Sequence, residues 1–488
     1  MHFGLGQSKM AEVSALELAD FKAKGYVIAP AGFGKTYLIA EAVKLSTDRQ
    51  LILTHTFAGV NSIKTKLNSL EVPSKKYQVE TIASWILRLC LAYPKTAGWT
   101  VEQPTGKQWR SLYSAGADLL AKPFIKNILL CTYAGVYVDE YQDCNEQQHA
   151  LVCTLAEVLP CRVLGDPLQA IFDFEADQPP VDWDKHIYPH FTNLGELETP
   201  WRWKNAGTEA LGFWLKTVRA ALMVKTKINV KAPVPGGVIR VYSSADYLRS
   251  NQISSLYKFL DNEDSVIAIH GGDAKSKNKT HNLSCSLAGK FSSIEEVEGK
   301  TLISFLKKFE AAKTVEAAFL LTLKFAKNCY TGVDKTLSAA TKRGEVAKLT
   351  RATKYPVLLH TANDFLTTPT SQKLRELFRQ LKDNPDTGVY RRDLLYRFFH
   401  VLKIHIDGGA PTLKEAFDVY QTDFRHSGRP IRHNKLIATT LLVKGLEYDH
   451  AVILDGDSLS TKDLYVALTR GAKSLTIICT SNHLPLAF

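Results

Sequence analysis

A glycine loop between two apolar runs constrains the fold of this chain more than any other stretch. Residues 26–29 are apolar, and Ala29-Pro-Ala-Gly-Phe-Gly-Lys-Thr36 leads from them into a second, helix-like run. A strand that turns through small residues into a helix N-terminus points backbone N–H groups and the positive end of the helix at one spot. The pattern predicts a polyphosphate site, although Ala29 stands where glycine is usual. An ordinary strand–turn–helix is the alternative.

Two side chains at the end of this loop fit the chemistry of a nucleotide. Lys35 would reach the β and γ phosphates, and the Thr36 hydroxyl would bind Mg²⁺. The predicted nucleotide contacts in this stretch are Ala29, Pro30, Ala31, Gly32, Phe33, Gly34, Lys35, Thr36 and Tyr37.

An acidic pair follows a second apolar run. Residues 133–138 predict a strand, and Asp139 and Glu140 come directly after it. Asp139 can join the coordination shell of Mg²⁺, and Glu140 can orient and deprotonate an attacking water. The alternative is a solvated turn, but a plain turn would favour Gly or Asn at this place.

A third apolar run, residues 161–165, ends in Asp166, and Gln169 follows on a turn. A glutamine there could sense the γ-phosphate of a nucleotide. Phe172 and Phe174 could face a base, and core packing is an equal alternative for each ring.

Strand-like and helix-like segments alternate through the first 200 residues. Further strands are predicted at 51–57 and 77–81, each followed by a helical run. This alternation predicts an α/β fold with a parallel sheet covered on both faces. Ligands of such sheets bind at the carboxyl ends of the strands, where the glycine loop and the acidic pair would lie.

The second half of the chain predicts another sheet and a helical region. Strands are expected within 237–245, 265–270, 451–454 and 475–479, while 291–425 is mostly helical in period. Residues 463–470 predict a helix that carries Arg470.

Composition narrows the class of protein. The 488 residues carry a formal net charge of +12, spread along the chain, which favours a polyanionic partner such as nucleic acid. The eight cysteines show no C-x-x-C spacing, so reduced core thiols are expected. Because the sequence contains neither a secretory signal nor a long apolar span, a cytoplasmic protein that does not contact a membrane is expected.

Five motifs occur in a fixed order: Ala-Gly-x-Gly-Lys-Thr, Asp-Glu-Tyr-Gln-Asp, Gly-Asp-Pro-x-Gln-x-Ile-Phe, Lys-Gly-Leu-Glu-Tyr-Asp and Tyr-Val-Ala-Leu-Thr-Arg. The set resembles superfamily 1A DNA helicases of the UvrD/Rep/PcrA type, over most of residues 1–205 and 435–480. In size and layout the chain also resembles the compact UvrD-like subunits of Gabija-type anti-phage systems.

The resemblance implies two RecA-like P-loop domains with parallel sheets, plus small and mostly helical accessory insertions. ATP would bind between the two domains, and single-stranded DNA would cross them. The implied divisions are domain 1A at 1–85 and 131–200, insertion 1B at 86–130, domain 2A at 201–280 and 431–488, and domain 2B at 281–430.

The resemblance also assigns nucleotide roles outside the glycine loop. Gln7 is similar to a glutamine that reads the adenine edge, and Gln169 to one that links hydrolysis to DNA movement. Arg202 and Arg470 resemble two arginines that clamp the γ-phosphate from the second domain. Glu447 is similar to an acid near the ribose, beside Gly445 in a neighbouring loop.

A path for single-stranded DNA is implied as well. Hydroxyls and amides would hold phosphates, and aromatic rings would stack on bases. Core packing is the alternative for the aromatic residues, above all for Trp85 and Trp203. The implied contacts are Thr54, Thr56, Phe57, Asn61, Thr81, Trp85, Phe172, Phe174, Trp203 and Thr439.

The activity implied is DNA-stimulated ATP hydrolysis that drives 3′ to 5′ movement on single-stranded DNA, with ATP and Mg²⁺ as cofactors, in anti-phage defence or DNA repair. The sequence departs from the family after Phe172, because Glu175 and Asp177 replace an arginine-containing segment. This departure supports an alternative, a nucleotide- and DNA-sensing ATPase that gates a partner nuclease with little unwinding.

Overall fold

The computed structural model describes residues 12–172, 179–230, 232, 237–272, 274–294, 299–427 and 433–487. Gln7 and Phe174, two of the predicted site residues, lie outside these ranges. The chain divides into two compact units. Unit 1 comprises residues 1–237, 460–473 and 487–488, and unit 2 comprises residues 238–459 and 474–486.

Unit 1 contains a six-stranded sheet in which the paired strands are parallel. Its strands are β1 (Lys24–Ile28), β2 (Gln50–Thr54), β3 (Tyr77–Thr81), β4 (Gly135–Val138), β5 (Cys161–Gly165) and β6 (Thr192–Glu196). Their spatial order is β3-β2-β4-β5-β1-β6, so β5 lies between the glycine-loop strand and the acidic-pair strand. The short strand β7 (Ile228–Asn229) follows in the chain.

Helices connect these strands. They are α1 (Ala15–Asp20), α2 (Lys35–Leu45), α3 (Phe57–Ser69), α4 (Ile82–Ala92), α5 (Pro94–Ala97), α6 (Gln108–Leu120), α7 (Pro123–Thr132), α8 (Glu146–Ala156), α9 (Trp183–His186), α10 (Trp201–Asn205) and α11 (Glu209–Met223). Helices α4 to α7 pack with β2 and β4 in one hydrophobic core, so the segment predicted as insertion 1B is helical and continuous with the sheet layer.

The central strands explain why this unit is a two-faced sheet. Every residue of β2, β4 and β5 is buried, as near-continuous apolar runs in parallel sheets require. Because the strands run in parallel, their carboxyl ends meet at one edge. In register, Val27 pairs with Leu164, and Val138 pairs with Val163. This register brings the segments after β1, β4 and β5 together, where the candidate site lies.

Unit 2 contains the second six-stranded sheet, ordered β10-β13-β9-β14-β15-β8. The strands of this unit are β8 (Val238–Tyr242), β9 (Val266–His270), β10 (Ser292–Ser293), β11 (Tyr330–Thr331), β12 (Gly388–Val389), β13 (Lys435–Thr439), β14 (Tyr448–Ile453), β15 (Gly471–Cys479) and β16 (His483–Leu484). Strand β15 begins in unit 1 and pairs with β8 through residues 475–479.

The helices of unit 2 include a large helical region between β10 and β13. They are α12 (Leu248–Tyr257), α13 (Ala274–Ser286), α14 (Lys300–Glu310), α15 (Val315–Cys329), α16 (Val333–Thr336), α17 (Ala339–Lys342), α18 (Pro356–Thr367), α19 (Ser371–Asp383), α20 (Arg392–Ile406), α21 (Leu413–Ser427) and α22 (Thr440–Val443); α23 (Thr461–Leu468) follows in unit 1. Stacked and tilted phenylalanines form the core of the helical region, with the Phe305 and Phe325 centroids 4.1 Å apart.

The predicted α/β class with two parallel sheets and a mostly helical insertion is confirmed. The bounds of the two compact units differ from the predicted domains, because residues 201–237 and 460–473 lie in unit 1. The four-domain division stays a prediction. Among the described residues, no helix has the length and apolar character needed to cross a bilayer.

Candidate active site

The glycine loop follows β1 and ends where α2 begins. Gly32 and Gly34 have φ angles of +79° and +90°, a left-handed backbone that glycine adopts without a Cβ clash. Gly34 occupies the N-cap position of α2 and, as a glycine, has no side chain that could accept a hydrogen bond from the helix start. The N–H groups of the first turn are therefore not capped by a side chain, as an anion site at a helix N-terminus requires.

Two tryptophans of α10 pack against this loop. A Cβ placed on Gly32 would lie 2.8 Å from the Trp203 ring, and one on Gly34 would lie 2.9 Å from the Trp201 ring. The Arg202 N–H donates to the Gly32 carbonyl at 3.0 Å. The loop shape therefore depends on close backbone approach to α10 as well as on left-handed φ angles.

Lys35 forms ion pairs with both members of the acidic pair. Its Nζ lies 2.6 Å from Glu140 Oε1 and 3.2 Å from Asp139 Oδ1. Burial works against the charge on the ammonium, but the two carboxylates outweigh burial and raise the pKa of Lys35 above its usual value. Lys35 is therefore a buried, fully protonated cation at the mouth of the glycine loop.

The acidic pair lies at the end of β4 with a specific backbone geometry. Glu140 has a left-handed φ of +54°, and its N–H donates to Asp139 Oδ1 at 3.0 Å. Burial raises the pKa of Asp139, Lys35 opposes this rise, and Glu140 adds to it. The left-handed conformation of a non-glycine residue costs about 1–3 kcal/mol of folding free energy, and such strained residues cluster at functional sites.

The donor set fits a magnesium–nucleotide complex. No cluster of three His, Cys, Asp or Glu side chains within the described ranges is placed to hold a metal alone. Mg²⁺ usually binds through one or two carboxylates together with phosphate oxygens and water. Asp139, the half-buried Thr36 and the uncapped start of α2 supply the protein part of such a set.

Gln169 lies on a short turn, Pro167–Gln169, that follows β5. It is buried, and its Nε2 lies 3.4 Å from Asp166 Oδ2. Asp166 in turn contacts Gln142, since the Asp166 N–H donates to Gln142 Oε1 at 3.1 Å. Gln142 also donates through Nε2 to Glu140 Oε2. The glutamine turn and the acidic pair are thus joined by hydrogen bonds.

The two predicted arginines both lie in unit 1, near one backbone segment. Arg202 donates through Nη1 to the Thr469 carbonyl. Arg470 is buried, with Nη2 2.9 Å from Thr469 Oγ1 and Nε 2.9 Å from the Val466 carbonyl. Arg202 also contacts the glycine loop directly, since its backbone N–H donates to the Gly32 carbonyl.

Three predicted residues lie in unit 2. Gly445 has a φ of +78° with open space where a Cβ would be, and Glu447 is exposed. Thr439 is buried at the end of β13. Their nucleotide and DNA roles stay predictions.

The polar residues of the implied DNA path cluster at the carboxyl ends of β2 and β3. Thr54 and Thr81 are buried at these strand ends. Thr56 and Thr81 cap α3 and α4, since they accept the N–H groups of Gly59 and Ser84 at 3.1 and 3.0 Å. Their hydroxyls therefore position helices, whereas Asn61 is exposed on α3.

The aromatic residues divide into interior and surface rings. Trp85 is 2% exposed within the core of unit 1, and Trp203 is fully buried with its Nε1 donating to the Gly471 carbonyl at 2.9 Å. Core packing, the alternative kept for both residues, is what the structure shows, because a buried ring cannot stack on a base. Phe57 and Phe172 are half-buried.

Sequence reasoning missed Arg219, Gln142 and Tyr465. Arg219 donates to Asp166, and burial together with the charge of Asp166 raises the pKa of the Tyr465 phenol. Gln142 stands in the acidic motif and could have been singled out. Arg219 lies in an amphipathic helix with no local pattern that marks it.

The segment that carries the acidic pair is similar to a known protein family. Residues 110–180 match the family model described as UvrD/REP helicase N-terminal domain. The matched segment is a minor part of the 488-residue chain, so the likeness to this helicase domain is shown for residues 110–180 alone. The matched segment contains Asp139, Glu140 and Gln169, so it coincides with the acidic pair and the glutamine turn. A comparison with curated proteins gave no match.

Several solved helicase structures show a limited likeness. Arterivirus nonstructural protein 10 (helicase) with DNA is 16% identical, with a TM-score of 0.27 over 53% of this chain and 49% of that chain. The PRRSV helicase is 10% identical, with a TM-score of 0.32 over 93% and 52%. Pif1 helicase from Bacteroides, in complex with ADP-AlF3 and ssDNA, is 13% identical, with a TM-score of 0.27 over 53% and 52%. This chain spans about half the length of each, and a likeness at these TM-scores carries no conclusion about activity.

Proposed function

We propose that the protein is an ATP-dependent DNA translocase and helicase of the UvrD-like type, which moves 3′ to 5′ on single-stranded DNA. The observation that carries the proposal is the ion pairing of Lys35 with Asp139 and Glu140 beside an uncapped helix N-terminus. Phosphoryl transfer needs positioned charge more than covalent chemistry, and this cluster provides it.

Each polar side chain of the candidate site has a separate proposed role in ATP hydrolysis. Lys35 exchanges a carboxylate for the β and γ phosphates when ATP enters the glycine loop. Glu140 would then accept a proton from a water that attacks the γ-phosphorus, as the bond from that phosphorus to the oxygen of the departing ADP breaks. Asp139 and Thr36 would hold Mg²⁺. Bound Mg²⁺ offsets the negative charge of the phosphates. Arg202 and Arg470 add positive charge as the transition state forms.

The DNA part of the proposal depends on charge and on the strand ends of unit 1. A net charge of +12 favours a polyanion, and Thr56, Phe57, Asn61 and Phe172 are the predicted contacts within the described residues that are exposed or half-buried. Half-buried rings can stack on bases without sequence preference, which suits a translocase.

A helicase assay with matched substrates tests this proposal. The purified chain is incubated with ATP and Mg²⁺ on duplexes that carry either a 3′ or a 5′ single-stranded tail. Strand separation on the 3′-tailed duplex, and none on the 5′-tailed duplex, is expected. Preference for the 5′ tail would overturn the direction, and a Glu140→Gln preparation controls for contaminating helicases.

A second candidate function is a DNA-sensing ATPase that gates a partner nuclease, as in Gabija-type defence. The burial of Trp85 and Trp203 favours it, because two of the predicted stacking rings are withdrawn from any DNA path. Strong DNA-stimulated hydrolysis without strand separation on either tailed duplex would support this candidate over the helicase.

A further inference from the structure

Asp166 is the centre of a buried polar network beside the candidate site. Its side chain is 0% exposed, yet it is surrounded by donors. Oδ1 accepts the Leu168 N–H at 3.3 Å, and Oδ2 lies 3.4 Å from Gln169 Nε2. The Asp166 carboxylate therefore caps the turn on which Gln169 lies and contacts the side chain of that glutamine.

The positive partner of Asp166 is Arg219, from α11. Arg219 is 8% exposed, and its Nε and Nη2 donate to Asp166 Oδ1 at 3.2 and 3.1 Å. Its remaining Nη1 donates to Glu196 Oε1 at 2.8 Å, at the end of β6. Two nitrogens of the planar guanidinium thus converge on one carboxylate oxygen while the third contacts Glu196, a set of contacts that a lysine ammonium cannot reproduce.

The network continues from Asp166 to the acidic pair. The Asp166 N–H donates to Gln142 Oε1 at 3.1 Å, and Gln142 Nε2 donates to Glu140 Oε2. Gln142 is itself buried, so the connection is shielded from water at this residue. Arg219 is therefore connected to the carboxylate of Glu140 through the side chain and the backbone N–H of Asp166 and through the side chain of Gln142.

Stability alone does not account for this arrangement. A buried ion pair contributes little net stability compared with apolar residues of the same volume, because both charges lose their hydration. Buried polar networks instead specify one arrangement of the groups that they contact. Here those groups are Glu140 and Gln169, the proposed base and the proposed γ-phosphate sensor.

We propose that Arg219 and Asp166 are positioning residues, which set the orientation of Gln169 and, through Gln142, of Glu140 for hydrolysis. This inference rests on the proposed ATPase function and deepens it. Arg219 touches neither nucleotide nor water in this account, and it acts only through Asp166.

The test compares a substitution of Arg219 with a substitution of Glu196, its other carboxylate partner. Arg219→Lys keeps the positive charge but loses the pair of guanidinium hydrogen bonds to Asp166 Oδ1. Glu196→Gln is the matched control, since it removes the outer ion pair of the same arginine and leaves Asp166 in place. The melting temperature, nucleotide affinity, and kcat and KM for ATP with and without single-stranded DNA are measured for each.

The expected result is a fall in kcat of about 10- to 100-fold for Arg219→Lys, with nearly unchanged KM, because misplacement of reacting groups costs rate more than binding. Glu196→Gln should retain the wild-type kcat. An Arg219→Lys protein with a lower melting temperature but wild-type kcat would overturn the proposal and leave Arg219 a purely structural residue.

If Arg219→Lys does not fold, Gln142→Leu provides an independent measurement. It breaks the connection between Asp166 and Glu140 without leaving a buried charge unpaired, and the same loss of kcat is expected. A wild-type kcat in folded Gln142→Leu would overturn the proposal. Absence of hydrolysis in the wild-type protein would instead contradict the proposed function, so the two failures are distinguishable.

Discussion

The ammonium of Lys35 lies 2.6 Å from Glu140 Oε1, and the Lys35 side chain is 10% exposed whereas the Glu140 side chain is 32% exposed. This distance joins the helix that follows the glycine loop to the carboxylate proposed to activate water. Glu140 thus holds the lysine that the phosphates of ATP are proposed to take over. Binding and catalysis should consequently separate when Glu140 is changed.

Glu140→Gln should bind ATP and fail to hydrolyse it. Glutamine keeps the shape of the side chain but cannot accept a proton, so kcat should fall by about 10²- to 10⁴-fold. Binding of a fluorescent ATP analogue and steady-state hydrolysis would be measured on the same preparation. Loss of binding together with hydrolysis would indicate that Glu140 has a structural role.

Gly32→Ala should destabilise unit 1 more than Gly207→Ala. Both glycines have left-handed φ angles, +79° and +72°, so each alanine costs about 1–2 kcal/mol for the backbone alone. Only at Gly32 would the new Cβ meet a fully buried ring, Trp203, at 2.8 Å, whereas nothing lies within 4 Å at Gly207. Thermal unfolding of the two variants measures the difference, and equal losses would contradict the packing described for the loop.

Arg202→Ala should lower the rate of hydrolysis far more than it lowers the affinity for ATP. An arginine that stabilises transition-state charge contributes roughly 10³-fold or more. Lys204→Ala is the matched control, because Lys204 is an exposed cation on the same helix, 4.9 Å from the Trp201 ring. A loss of rate that is the same in both variants would assign the effect to general charge and not to Arg202.

The local sequence predicted most strands of unit 1 but not the burial of individual aromatic rings. The apolar runs predicted β1 to β5 of unit 1 and placed Asp139 at a strand end, because strands buried on both faces are apolar throughout. Strands β6 and β7 were not predicted. The pattern Trp-Arg-Trp could not show which ring is buried, and the structure leaves Trp201 44% exposed and Trp203 fully buried.

Long-range partners were also beyond the sequence. Arg219 and Asp166 are 53 residues apart, and Arg202 and the Thr469 carbonyl are 267 residues apart. Neither pairing has a periodicity or a motif, because a side chain reaches its partner only after the sheet has assembled. Because the glycine loop and the acidic pair each follow a predicted parallel strand, the sequence nevertheless predicted that both lie at the same edge of the sheet.

The stability of the protein should decrease on acidification through His149. The ring of His149 stacks on that of His186 at 5.3 Å, and its Nδ1 lies 2.8 Å from Tyr141 Oη. Burial, with the charges of His186, His190 and Lys24, lowers the pKa of His149 from 6.5 to about 4.

Between these two values the unfolded chain binds a proton that the folded protein does not, so stability is complete above pH 6.5 and falls as the pH approaches 4. Denaturant unfolding of the wild type and His149→Gln across this range would be compared. Because other groups titrate in both proteins, the difference between the curves reports His149, and parallel curves would contradict the assignment.

The central claim, that the glycine loop and the acidic pair form a DNA-stimulated ATPase site, is tested most directly by ATP hydrolysis with and without single-stranded DNA in the wild type and in Lys35→Ala. The account predicts hydrolysis that rises on addition of DNA in the wild type and is lost in folded Lys35→Ala. Near-wild-type turnover in Lys35→Ala, or a wild-type rate that DNA does not change, would contradict it.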